Sequence, residues 1–117
     1  MTRARNLAGL IFSNINAQTG TSYTFALTDA NNTFVTISNG SAIALTIPTN
    51  ASVAFPVGTV LNFAQTNAGQ ITVAGASGVT VTSTGATAST PKTRVQYSAA
   101  SAIQTSANNW LVIGDIA

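Results

Sequence analysis

Acid–base, nucleophilic and metal chemistry draw on a short list of side chains, and this sequence holds few of them. Of 117 residues, four are Lys or Arg and two are Asp or Glu. There is no His and no Cys, which removes the commonest general base, the commonest zinc ligand and all thiol chemistry. The acidic side chains, Asp29 and Asp115, stand far apart in the chain, so no local pair of carboxylates offers general acid–base catalysis. Ser and Thr are plentiful, but a hydroxyl nucleophile needs a base and an orienting third group. Lys92 is the one substitute base, and no serine–lysine spacing supports it. Gly75-Ala76-Ser77-Gly78 lacks the Lys and the helix that a phosphate cradle requires. Asp29 beside Asn31 supplies too few oxygens for calcium and reads as a turn cap. Asp115 reads as a turn residue or the partner of a basic side chain. The expectation is a protein that is not an enzyme and carries no cofactor or metal.

The remaining residues of chemical interest suit contact rather than reaction. Trp110 lies in Asn109-Trp110-Leu111-Val112-Ile113 and reads as a core plug, with a sugar platform or interface anchor as the alternative. The net charge of +2 rests on two basic pairs, Arg3 with Arg5 and Lys92 with Arg94, too little for a stripe that neutralises several phosphates. No nucleic-acid partner is therefore expected. No apolar run approaches the roughly 20 residues of a spanning helix, and the run from Leu7 to Phe12 is too short for a secretory core. No membrane partner and no export signal are expected.

The elements that must position these residues are strands. Apolar and polar residues alternate in Tyr23–Leu27, Val35–Ile37, Ile43–Ile47, Leu61–Phe63, Ile71–Val73, Val79–Val81 and Val95–Tyr97, a period of two that places one side in a core and the other toward solvent. Thr is the usual polar partner, and its β-branched side chain suits a pleated surface. Asn39-Gly40 between two such runs predicts a tight type I′ hairpin, in which Gly40→Val would be destabilising. Asp29–Asn32, Asn67–Gly69, Gly75–Gly78 and Asn108-Asn109 read as further turns, Pro48 and Pro56 bracket a connection, and Ser83–Lys92 reads as an exposed loop. The pattern predicts an all-β fold: an antiparallel β-sandwich or jelly-roll-like barrel of about nine short strands, with residues 1–16 as an N-terminal arm and 17–117 as the sandwich domain. No internal repeat is evident.

Charge scarcity bears on assembly. Monomeric β-proteins blunt their strand edges with Lys, Pro or inward charges, and with 5% charged residues this chain has little with which to do so. Edges already paired in a permanent assembly resolve the conflict. A homo-oligomer, expected as a trimer, or a subunit of a larger lattice follows.

The ordered segments Asn16–Thr24, Ser52–Thr59, Gly69–Ala74, Tyr97–Ala100 and Trp110–Ile116, together with the opening Met1-Thr2-Arg3-Ala4-Arg5-Asn6, resemble a β-rich module of tailed-bacteriophage virion proteins. Where the usual module has Gly-Lys in its first turn, this chain has Asn31-Asn32. The resemblance implies a place in the virion and no catalytic residues. The module stands almost alone in this sequence, which favours a capsid decoration, or cement, protein on the outer capsid surface. Such a protein would clamp neighbouring copies of the major capsid protein, with Arg3, Arg5, Leu7, Leu10 and Ile11 of the arm as the expected contacts. The alternative is a tail-fibre or head-fibre tip that binds a host glycan or surface protein, with the loop Ser83–Lys92 carrying recognition.

Overall fold

The computed structural model describes residues 12–117. The alternating runs form nine strands among these residues: β1 (Asn14–Gln18), β2 (Ser22–Thr24), β3 (Thr33–Ile37), β4 (Ile43–Ile47), β5 (Val60–Gln65), β6 (Ile71–Gly75), β7 (Thr80–Ser83), β8 (Ala99–Ser106) and β9 (Asn109–Gly114). One short 3₁₀ turn, Leu27–Ala30, links β2 to β3. The fold is all-β, as the alternation predicts.

Pairing departs from the antiparallel expectation. A six-stranded sheet runs β1-β3-β5-β8-β9-β7, and a three-stranded sheet runs β2-β4-β6. From β1 to β6 the chain changes sheet at every step, so each strand pairs with the one before last. Asn14 stands beside Thr33 and Phe34 beside Asn62 in the large sheet. Ser22 stands beside Ala44 and Ile43 beside Ile71 in the small one. All four pairings are parallel, and so is that of β7 with β9. The crossover that parallel strands need is the passage through the opposite sheet. Antiparallel pairing enters where β8 joins β5 and then turns back into β9. Asn108, at φ 60°, makes that turn.

The Asn39-Gly40 hairpin is likewise corrected. Neither residue has positive φ, and the two lead from one sheet to the other. Asn39 instead ties three corners of the winding together. Its amide donates to the Thr19 carbonyl at 2.8 Å, its side-chain oxygen accepts from Ser41 N at 2.8 Å, and its carbonyl accepts from Gly69 N at 2.8 Å. The corner between β5 and β6 thus sits on the corner between β3 and β4, which in turn sits on that between β1 and β2.

Alternation places Val35, Ile37, Leu61 and Phe63 of the large sheet and Ile43, Leu45, Ile47, Ile71 and Val73 of the small sheet in one buried cluster. Phe25 joins it after β2, and Phe55 enters from the connection that the two prolines bracket. Trp110 is buried, as expected of a core plug, with the Phe55 ring edge-on at 5.5 Å. Leu27, Val95 and Tyr97 depart from the pattern: Leu27 is exposed in the 3₁₀ turn. Val95 and Tyr97 lie in a turn rather than a strand, and both are exposed. Asn14, Ile15 and Asn16, expected in the arm, belong to the edge strand β1.

Candidate interaction surface

Both acidic side chains are engaged in structural contacts. Asp29 is buried, and its carboxylate accepts from Tyr23 OH at 2.5 Å, from the Asn16 amide at 2.9 Å and from Ala26 N at 2.8 Å. The bond from Ala26 caps the 3₁₀ turn, as the turn-cap reading holds. Burial, and then the adjacent carboxylate, push the Tyr23 phenol up to about 12. A phenol held this firmly neutral is no base. Asp115 pairs with Arg94 and accepts from Ser98 Oγ at 2.7 Å. The Arg94 guanidinium, and then the Ser98 hydroxyl, hold its carboxyl below the usual carboxylate range. This ion pair is exposed and contributes little to stability. Among the described residues no three of His, Cys, Asp and Glu come together to hold a metal. No described helix is long and apolar enough to cross a membrane.

What the strands do present is a broad apolar surface. In β3 the inward residues are Val35 and Ile37, so Phe34 and Thr36 point the other way. Register carries that parity across the large sheet. Ile15 stands beside Phe34, Phe34 beside Asn62, Asn62 beside Ser101, and Ser101 beside Ile113. The next row aligns Val60, Ile103, Leu111 and Thr82. Phe12 stacks on Phe34 with ring centroids 5.0 Å apart. Ile15 is 56% exposed and Ile113 47%, with Phe12, Val60 and Leu111 also open. Near the middle, Ser101 Oγ donates to Asn62 Oδ1 at 2.6 Å. Between Phe34 and Ile113 lies a shallow depression of about 260 Å³, floored by Asn62, Ser101 and Gly114. No charged side chain stands on these rows.

The small sheet is built differently. Its outward residues are Ser22, Thr24, Ala44, Thr46, Thr72 and Ala74, all small and mostly hydroxylated. One side of the molecule is thus dressed for water and the other is not. Contiguous apolar patches of several hundred Å² mark contact surfaces.

Two further features are exposed. β1 and β2 end their respective sheets, and among the described residues each pairs along one edge only. Both lie in the first coil of the winding. Tyr97, 73% exposed, is held at φ 72°. Its N–H donates to the Gln65 carbonyl and Gln65 N donates to the Ser98 carbonyl, so the turn is clamped to the end of β5.

The contacts expected from the sequence, Arg3, Arg5, Leu7, Leu10 and Ile11, lie outside the described residues. Lys92 is exposed, and its backbone is bonded to that of Ala117. Sequence reasoning missed the outer face of the large sheet. The signal was present in Ile15, Phe34, Ile103, Leu111 and Ile113, large apolar residues at the parity opposite to the core. Comparison with protein-family models, with curated proteins and with solved structures finds no match.

Proposed function

We propose that this chain is a structural protein of a phage virion, a capsid decoration protein that joins neighbouring copies of the major capsid protein on the outer surface of the shell. The observation that carries the reading is the open first coil. β1 and β2 offer two uncharged edges side by side, directly after residues 1–12. Strand addition to such edges supplies main-chain hydrogen bonds, and side chains on alternate positions supply selectivity. Arg3, Arg5, Leu7, Leu10 and Ile11 are the contacts proposed for the preceding segment. Many weak attachments per particle raise the effective affinity without any strong single contact. The resemblance to virion modules and the scarcity of catalytic side chains support the same reading, which includes no enzymatic step, nucleic acid, membrane or cofactor. It takes the two sheets as a sandwich wound in parallel, with copies associating as homo-oligomers.

The test is attachment to purified particles. Hundreds of copies per particle support decoration. A few to a few dozen would favour the fibre-tip reading, with a host glycan or protein as ligand. Deleting residues 1–12 leaves the domain folded and abolishes attachment. Ser22→Lys, which places a charge on the open β2 edge, weakens it. Particles that bind both variants as well as the parent chain overturn the proposal.

A further inference from the structure

We propose that the outer face of the six-stranded sheet pairs with the same face of a second copy, giving a two-fold dimer whose axis runs along the strands between β5 and β8. The molecule carries +2 overall, so two copies meeting on a basic surface would repel. Among the described residues, the strand rows of this face carry no ionised side chain, and two such surfaces meet without cost of that kind.

A two-fold interface requires a self-complementary surface. Across the sheet the strands run β1-β3-β5-β8-β9-β7, three on either side of the line between β5 and β8. Rotation about an axis along that line lays β3 of one copy over β9 of the other, and β5 over β8. Phe34 then meets the partner copy's depression beside Ile113, and Asn62 meets Ser101. Rings and aliphatic side chains fall on aliphatic ones, and the polar pair falls on the polar pair. With the register as observed, Val60 meets the row of Ile103 and Leu111.

Six strands at about 4.8 Å spacing and roughly six residues of 3.3 Å rise give a footprint near 600 Å². Side-chain relief enlarges that toward the roughly 800 Å² per partner of a standard interface. Aligned sheet-on-sheet packing at about 10 Å separation accommodates it. A self-complementary face closes with one partner, so the proposed oligomer is a dimer where the sequence alone pointed to a trimer. The pairing does not depend on the virion reading, because it needs no shell.

Sedimentation velocity of the full chain at micromolar concentration tests it. The expected mass is twice the 11.8 kDa of one chain. Asn62→Asp, Ser101→Lys and Ile113→Asp each reduce it to that of a single chain, with an unchanged far-ultraviolet spectrum. Mixing the Asn62→Asp and Ser101→Lys variants restores the doubled mass, because position 62 of one copy faces position 101 of the other. A wild-type monomer or trimer overturns the proposal, whether residues 1–11 or a different protein covers the face. So does a dimer indifferent to all three substitutions, or a mixture that stays monomeric.

Discussion

Gly40 and Gly69 lie at adjoining corners of the winding and differ in what a side chain would meet. A Cβ on Gly69 would come within 2.0 Å of the Ser41 carbonyl oxygen and 2.4 Å of that of Asn39. Both are backbone atoms of the corner beneath, so the corners would have to part. Gly69→Ala is expected to cost about 2–3 kcal/mol, the upper range for overpacking, read as a lower urea midpoint. A Cβ on Gly40 meets nothing within 4 Å, and its φ is not positive. Gly40→Val should therefore leave the midpoint nearly unchanged, against the hairpin expectation. Asp29 is the other residue on which much depends. Asp29→Asn keeps the size but, at a buried position, loses acceptor capacity for three donors, at a cost of about 1–3 kcal/mol. Its neighbour gives a pH signature. The fold favours the neutral Tyr23 phenol, so this contribution is intact below pH 10 and is lost as pH rises through about 12. Ultraviolet titration should show a tyrosinate step near 12 that Tyr23→Phe removes. A step at the ordinary tyrosine value that vanishes in this variant would contradict the pairing with Asp29.

Between elements, the closure of the coil depends on the segment that follows β7. Thr93 is fully buried between the sheets' ends. Its hydroxyl donates to Gln65 Oε1 and accepts from Ile71 N at 3.0 Å, joining β5 of one sheet to β6 of the other. Pro91 and Thr93 also bond to Val73 and Ile71 through the backbone, so this segment covers the β6 edge that would otherwise be open. Thr93→Val preserves the shape but strands two buried polar groups. It should lower stability by about 1–3 kcal/mol, whereas Thr82→Val, at an exposed position, should not. Thermal melting of the two variants decides. This link was not legible in advance, because Pro91–Tyr97 shows alternation without a strand and Thr93 looks like any other Thr. The strands themselves were legible: Val35, Ile37, Ile43, Leu45, Ile47, Leu61 and Phe63 are buried as their spacing predicts. Their direction was not, since a period of two is the same in parallel and antiparallel ladders. Asn39-Gly40 misled because its side-chain bonds to Thr19 and Ser41 serve a stacked corner as readily as a hairpin. The contacts proposed in residues 1–11 had no counterpart to test in residues 12–117, and the outer face was overlooked because attention to the core discounts the opposite parity.

At the scale of the molecule, the two sheets assign different environments to their outer faces. Thr, Ser and Ala cover the small sheet, while Phe34, Ile15, Ile103, Leu111 and Ile113 cover the large one. The scarcity of charge then determines how association responds to the medium. Screening lengths shrink from about 10 Å at 0.1 M salt to about 3 Å at 1 M, which weakens interfaces held by exposed ion pairs. The Arg94–Asp115 pair belongs to the segment between β7 and β8 and to the chain end rather than to the strand rows of the face. Burial of apolar surface is not screened, and excluded salts such as sulfate strengthen it. Self-association measured by sedimentation should therefore hold steady between low salt and about 1 M sodium chloride and tighten in sulfate. Cooling should loosen it, because apolar burial is driven by entropy near room temperature. A dissociation constant that rises tenfold with sodium chloride would place the contact on charged residues, and the outer face of the large sheet would no longer account for it.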